Sequence, residues 1–390
     1  MAKTDYKTAV QNLLQEAGIE INGKQSWDIL VKNENFYQAV FSRGSLGFGE
    51  SYMEGWWECR ALDKMFHRLF RANLEEKIKS NFRLKLLWLK SKIFNQQTKS
   101  KALRSVGSHY NIGNDLYKKM LDPLMVYSCG YWKDAKDLAE AQRHKLELIC
   151  QKLKLKKGQT LLDIGCGWGG FAKYAAENYG VTVTGITISE EQQKLATERC
   201  QGLPVEIRFQ DYRDVDEKYD RIVSIGMLEH VGHKNFESFM QVIKRALKTD
   251  GISLVHFIGG NFTKYHTDPW INKYIFPQGL IPSVRQIGQA MERKLILEDW
   301  HNFGLYYDHT LMAWMENFKQ AWPELKPDYS DIFYRMWEFY LNSSAAAFRA
   351  KKLNLWQLVL THPHSSEIYQ SLRPETFSAS PKVFSNERLN

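Results

Sequence analysis

From Gln159 onward the apolar positions fall in short runs rich in Val, Ile and Leu, separated by longer stretches of helical spacing. Thr160 to Gly165, Val181 to Ile186, Val205 to Phe209, Tyr219 to Ile225 and Ile252 to Ile258 are too short for helices and nearly continuous in apolar character, as strands buried on both faces are. Between them, Phe171 to Asn178, Glu190 to Cys200 and Phe236 to Leu247 have helical periodicity. The alternation predicts an α/β fold built on a doubly wound parallel sheet. Leu295 to Trp300 and Leu355 to Leu360 would bring the sheet to seven strands, with helices Thr310 to Trp322 and Ile332 to Arg349 between them.

The first 75 residues have a different pattern. Lys7 to Ala17 and Glu34 to Phe41 are helical in spacing, and Trp27 to Val31 is a short strand. Gly44 to Glu50 is glycine-rich and predicts a turn, followed by Ser51 to Glu58 with Trp56 and Trp57. No Lys-Ser/Thr follows these glycines, which argues against a P-loop. The organisation expected is a small N-terminal α+β domain over 1–95, a linker over 96–108 and a catalytic domain over 109–390.

Charge changes this picture in one place. The chain has 53 Lys and Arg against 44 Asp and Glu, a net charge of +9. Nine basic residues and no acid lie between Lys77 and Arg104, so this one segment accounts for the whole excess. Phe82, Leu86, Leu89 and Ile93 share one face of a helix there; Leu84, Leu87, Trp88 and Phe94 form a second strip. Apolar strips edged by Lys and Arg suit an anionic lipid surface better than nucleic acid, whose reading needs polar side chains. A solvated linker helix is the plainer alternative.

At 390 residues, with 44% hydrophobic and 25% charged positions, the chain is globular in composition rather than disordered. No apolar run approaches the ~18 residues of a membrane span. Met1 to Asp5 leads into polar sequence, so no signal peptide is expected. The five scattered cysteines form no CxxC and predict reduced thiols in the cytoplasm. His230 and His233 lack further ligands, so no metal site is expected. No Gly-x-Ser-x-Gly elbow supports a serine hydrolase.

The strongest chemical signal is Leu161-Leu162-Asp163-Ile164-Gly165-Cys166-Gly167-Trp168-Gly169-Gly170. A buried strand runs into glycines and then a helix, which lets the backbone approach a ligand beyond the strand's carboxyl end. The next strand ends in Gly185-Ile186-Thr187-Ile188-Ser189, without the acid a dinucleotide ribose needs. The DxGxGxGG form resembles the S-adenosylmethionine loop of class I methyltransferases. On that resemblance Asp163, Gly165, Gly167 and Gly169 are cofactor-binding candidates, with Thr187 and Gln192 after the second strand and Gln210 and Asp211 after the third.

Three further stretches carry a wider resemblance. They are His109 to Tyr117 with Leu121-Asp122-Pro123 and Tyr127 to Trp132; Gly226-Met227-Leu228-Glu229-His230-Val231-Gly232; and Asp299-Trp300-His301-Asn302-Phe303-Gly304 with Tyr306-Tyr307. Together they resemble the cyclopropane-fatty-acyl-phospholipid synthases, relatives of the mycolic-acid cyclopropane synthases, over nearly the whole chain. The resemblance implies a Rossmann-like, seven-stranded class I methyltransferase. It would transfer a methylene equivalent from S-adenosylmethionine to the cis double bond of unsaturated phospholipid acyl chains, through a carbocation deprotonated by bound bicarbonate. The bicarbonate holders map onto Cys129, Glu229, His256, Ile258 and Tyr307, and Tyr127 and Ser128 join the cofactor set. A peripheral enzyme at the inner face of the membrane, acting as a homodimer, is expected.

Each holder also makes sense as a residue type. Glu229 follows the fourth strand and His256 lies near the end of the fifth, so both belong at the carboxyl edge. A carbocation needs aromatic faces and a nearby base. Many relatives carry a cysteine in the last long helix where this chain has Ser344; a π bond attacking a sulfonium needs no enzyme nucleophile. The long aromatic-rich insert from Gly259 to Pro282 suits an acyl-chain wall or lid. Three alternatives stay open: a same-fold enzyme making methyl-branched lipids, one methylating a small amine, and a non-catalytic S-adenosylmethionine sensor.

Overall fold

The computed structural model describes residues 3–74 and 113–373. Seven strands form one sheet: β3 (Thr160–Ile164), β4 (Thr182–Thr187), β5 (Val205–Phe209), β6 (Tyr219–Ile225), β7 (Leu247–Gly259), β8 (Ile296–Asn302) and β9 (Asn354–Thr361). Their order is β5-β4-β3-β6-β7-β9-β8. Strands β3 to β7 pair in parallel, as the alternation predicts. The reversal of order beside β3 opens a crevice at the carboxyl edge, where ligands bind in such sheets.

The sheet is not parallel throughout. β9 is antiparallel to both β7 and β8. The cause is the connection: β8 ends at the carboxyl edge, and helices Leu305–Leu325 and Asp331–Arg349 pack side by side as a hairpin. Two helices return the chain to the edge it left, so the next strand must run backwards. Gly304 marks the closure, since a Cβ there would lie 2.8 Å from the Leu355 nitrogen.

The N-terminal residues contain helices Lys3–Glu16, Asn35–Arg43, Ser45–Met53 and Leu62–Arg71, and a two-stranded ladder of β1 (Leu30–Val31) with β2 (Trp57–Glu58). The turn expected over Gly44 to Glu50 is instead the first part of helix Ser45–Met53, and only Gly44, at φ +57°, bends the chain. Packing explains the glycines. A Cβ on Gly47 would sit 2.0 Å from the Ala39 carbonyl oxygen, and one on Gly49 would sit 2.3 Å from Cδ1 of Trp270. Close approach, rather than a turn, is what these positions require.

One hydrophobic cluster joins this region to the rest. Phe48, Trp57 and Phe66 pack with Trp270 and Phe339, with ring centroids 4.5 Å apart for Trp270–Phe339 and 4.9 Å for Phe66–Phe339. Arg335 donates to the carbonyls of Tyr52 and Trp57 and pairs with Glu58. Residues 3–74 therefore share a core with helix Asp331–Arg349. The basic segment 77–104, the expected linker 96–108 and the motif residues His109 to Ile112 lie outside the described residues.

The insert between β7 and β8 carries helix Pro269–Tyr274, capped by Asp268. Buried Glu50 accepts hydrogen bonds from Lys273 at 2.7 Å and Tyr274 at 2.9 Å and also pairs with Arg43. At its far end the Leu280 N–H donates to the Glu229 carbonyl at 2.8 Å. The insert thus spans from the N-terminal helices to the edge of the sheet.

Candidate active site

β3 delivers the chain to three glycines with positive φ: Gly165 at +79°, Gly167 at +54° and Gly169 at +77°. The Gly165 and Cys166 N–H groups both donate to the Ile186 carbonyl at 3.0 Å, which pins the loop to β4. The glycines differ in what they face. A Cβ on Gly165 would touch Met227 at 3.2 Å, and one on Gly169 would touch Cys200 at 3.1 Å and Ala196 at 3.2 Å. A Cβ on Gly167 would meet nothing within 4 Å. Gly167 therefore leaves open space beyond the end of β3, as the expected cosubstrate would need, while Gly165 and Gly169 let neighbouring elements pack.

The other expected cofactor residues line up along the same edge. Thr187 ends β4 and donates to Gln192 Oε1 at 2.9 Å; Ser189 caps the helix that carries Gln192. Gln210 follows β5, and its N–H donates to the Thr187 carbonyl at 3.0 Å. The Asp211 carboxylate is already engaged, accepting from the Arg213 backbone N–H at 2.9 Å and from its guanidinium at 2.8 Å. Asp163 is buried within β3 with Oδ2 unpartnered, and burial pushes its carboxyl up to about 7.

Tyr127 and Ser128 come from the stretch before helix Leu138–Lys152, and that helix clamps them. Gln142 donates to the Ser128 carbonyl at 2.7 Å, and Lys145 donates to Ser128 Oγ at 3.0 Å. Lys145 is fully buried; burial pulls its amine down to about 8, against the pull of Asp122. The Gly130 N–H donates to Thr310 at 3.0 Å, and the Tyr127 hydroxyl lies 2.9 Å from that of Tyr340. Gln142, Lys145 and Tyr340 were not read from the sequence. Their one signal is a polar residue on an otherwise apolar helix face.

Of the five expected anion holders, Glu229 is linked directly to Ile258, and Tyr307 lies near both Glu229 and Cys129. Glu229 sits in the single turn after β6 and accepts from the Ile258 N–H at 2.6 Å through Oε1. Its Oε2 is buried without a partner, and burial pushes the carboxyl up to about 7. Tyr307 feels Tyr340, Cys129 and Glu229, and burial first and then these neighbours hold its hydroxyl well above the usual range. Cys129 is fully buried with its thiol near Thr310, and burial pushes the thiol up, so it is no nucleophile. Ile258, the fourth, takes part through the N–H that orients Glu229.

His256, the fifth, lies on β7 across from Ile225, one rung before the chain turns toward Glu229. Its Nε2 is buried without a partner. Burial, reinforced by Lys145 and Lys152, holds the imidazole well below its usual range and therefore neutral. Two bare polar atoms, Glu229 Oε2 and His256 Nε2, are costly to leave unpaired. Each suits a partner such as an oxygen acid, and His256 stands two residues from Ile258, whose N–H holds Glu229.

Aromatic rings surround these groups. Tyr307 packs on Phe348 at 4.6 Å, Tyr127 on Trp314 at 5.0 Å, Phe276 on Tyr340 at 5.7 Å and Phe303 on His256 at 5.9 Å. Their faces suit a developing cation. Ser344 is half-buried one turn after Tyr340. Among the described residues no group of His, Cys, Asp or Glu is arranged to hold a metal, and no helix is long and apolar enough to cross a membrane.

The family profile described as "Mycolic acid cyclopropane synthetase" matches residues 97–358. The "Cyclopropane-fatty-acyl-phospholipid synthase" of Escherichia coli K12 is 55% identical over 356 residues, covering 91% of this chain and 93% of its own. "Tuberculostearic acid methyltransferase UfaA1" of Mycobacterium tuberculosis is 33% identical, covering 81% of this chain and 79% of its own. Among solved structures, mycolic acid cyclopropane synthase CmaA1 complexed with SAH and CTAB superposes with a TM-score of 0.61 at 30% identity. It covers 66% of this chain and 97% of its own.

Proposed function

The chain belongs to the mycolic acid cyclopropane synthetase family of S-adenosylmethionine-dependent enzymes acting on lipids, and we propose that it forms cyclopropane rings on the unsaturated acyl chains of membrane phospholipids. The observation that carries this reading is that Glu229, held by the Ile258 N–H, and His256, two residues before Ile258 on β7, each keep a buried polar atom without a partner among aromatic rings at the carboxyl edge. A simple methyl transfer to a nitrogen or oxygen needs no such surroundings. Ring closure does.

The reaction adds one carbon from S-adenosylmethionine across the double bond and releases S-adenosylhomocysteine and a proton. Positive charge passes from the sulfonium to the acyl chain on the way. Gly167 and its neighbours on β4 and β5 hold the cosubstrate. Tyr307, Phe303 and Tyr127 offer ring faces to the charge. Bound bicarbonate, held by Glu229 and His256 next to Cys129 and Tyr307, supplies a base for the departing proton. Glu229 is fixed for this by the Ile258 N–H, and the fully buried Cys129 keeps water away.

The reading extends to the surface. The nine basic residues of Lys77 to Arg104, with their apolar strips, support reversible binding to an anionic leaflet at the cytoplasmic side, and a homodimer would strengthen it by avidity.

The test is release of S-adenosylhomocysteine on liposomes of unsaturated or saturated phospholipid, with mass analysis of the lipid. Turnover on the unsaturated liposomes alone, with a ring product, is expected. A product heavier by two hydrogens would instead establish methyl branching. Turnover unaffected by bicarbonate depletion would remove bicarbonate from the reading.

A further inference from the structure

His256, Gln357 and His301 occupy one rung of the sheet. His256 on β7 is registered with Gln357 on β9, and Gln357 with His301 on β8. Side chains at paired positions on neighbouring strands project from the same face, so the three stand in a row. Gln357 is fully buried in the middle of an apolar strand. Its Nε2 lies 3.3 Å from His256 Nδ1, and its Oε1 has no partner. Nothing in the proposed chemistry so far uses it.

We infer that Gln357 is a positioning residue that fixes His256 in the tautomer with its proton on Nε2, the ring nitrogen that has no protein partner. An amide nitrogen can only donate, so the Nδ1 facing it must present a lone pair. The imidazole is neutral, kept so by burial and by Lys145 and Lys152. A neutral ring has one N–H, and it is left to Nε2. Turning the amide over would put its two N–H bonds where the unpartnered Oε1 now stands. A bare buried carbonyl is tolerated more often than a bare buried N–H, so the orientation with Nε2 toward the ring is the favoured one.

The rest of the row is built the same way. Lys152 Nζ lies 3.0 Å from His301 Nδ1 and 3.3 Å from Asp299, which Arg373 also grips. His301 is thereby neutral too, pushed down to about 3 by burial and then by Lys152. The Phe303 ring touches both imidazoles, with centroids 5.0 Å from His301 and 5.9 Å from His256. The Asp299-to-Gly304 motif therefore holds the flank of His256.

The consequence for ligand choice is specific. With the proton on Nε2, His256 offers a buried donor, which suits an oxygen anion. The other tautomer would aim a lone pair at that anion and repel it. This step rests on the function proposed above, but the tautomer itself does not.

The test is a long-range proton–nitrogen correlation spectrum of the full chain labelled with nitrogen-15 histidine, without cosubstrate, between about pH 6 and 8. His256→Asn identifies the signal. The expected result is an unprotonated Nδ1 and a protonated Nε2 on His256. In Gln357→Leu the two tautomers should mix. The bicarbonate concentration for half-maximal turnover should rise by roughly tenfold to a hundredfold, the loss of one hydrogen bond to a charged group. Calorimetric affinity for S-adenosylmethionine should stay unchanged. A proton on Nδ1 in the parent overturns the inference, and so does a single Nε2–H tautomer persisting in Gln357→Leu. If Gln357→Leu does not fold, the parent spectrum decides alone. Bicarbonate-independent turnover together with an Nε2–H His256 would remove the proposed base and leave the tautomer assignment standing.

Discussion

Glu229→Gln should make the protein more stable and less active, and the stability gain should depend on pH in a defined direction. The Glu229 carboxyl is raised from an ordinary 4.5 to about 7, chiefly because burial disfavours its charge. A group whose folded pKa is raised contributes stability at low pH and loses it as pH rises toward the folded value. At about 1.4 kcal/mol per pH unit, the gap costs the native state under ~1 kcal/mol near pH 5 and ~3 kcal/mol near pH 8. Glutamine keeps the acceptor for the Ile258 N–H and never ionises, so the variant escapes this cost. For 390 residues at about 2 cal/mol/K each, ~3 kcal/mol corresponds to a rise in melting temperature of roughly 4 °C. Thermal melts of both proteins near pH 5 and pH 8, without cosubstrate and in bicarbonate-free buffer, measure this directly, because bound ligand would mask it. Turnover should fall on the order of a hundredfold or more. A stability difference that does not grow between pH 5 and pH 8 would refute the argument that Glu229 is held against its preferred ionisation.

Gly167→Val should abolish S-adenosylmethionine binding in calorimetry while the fold survives, because its side chain enters the open cradle at a backbone φ of +54°; retained affinity would move the cosubstrate elsewhere. Gly49→Ala should cost about 1–3 kcal/mol in chemical denaturation, since its Cβ would overlap the Trp270 ring, and the mechanism is overpacking. Lys85→Glu, Lys90→Glu and Lys92→Glu together should weaken flotation with anionic vesicles and leave cosubstrate affinity unchanged; flotation equal to the parent at every salt concentration would reduce the segment to a solvated linker.

The strands and the glycine loop could be read from the sequence because burial on both faces leaves little choice of residue there. Tyr219–Ile225 and Val205–Phe209 agree with expectation to the residue. The direction of β9 could not be read, because it depends on how many helices cross back after β8 rather than on anything within Asn354–Thr361. The glycines of Gly44 to Glu50 suggested a turn because local propensity disfavours glycine in helices; the reason for Gly47 is the Ala39 carbonyl, and that for Gly49 lies about 220 residues away, in Trp270. Helix Leu138–Lys152, with Gln142 and Lys145 facing inward, was missed for a related reason. A lysine on a buried face has no local pattern to announce it, and its partner Ser128 is reached only through the fold. Asp211 was legible as an acid at the edge of β5, yet not that Arg213 would engage it.

The buried charges around the site share a tendency that bears on why the chemistry is feasible there. Burial moves Asp163 and Glu229 up to about 7 and Lys145 down to about 8, and it drives His256 below its usual range. Each group is thus biased toward its neutral form before any ligand arrives. A site already carrying fixed anions would bind the sulfonium cosubstrate tightly and gain nothing as the charge moved to the acyl chain, since stabilising ground and transition states alike does not accelerate the chemical step. Carboxyls poised near neutrality carry little fixed charge of their own, and an arriving cation lowers their pKa wherever it stands. The ring faces of Tyr307 and Phe303 add attraction for a cation without any titratable charge. In the proposed reaction the site would thus carry little fixed charge of its own, and Glu229 and His256 would act by holding the base that takes the last proton rather than by taking it themselves.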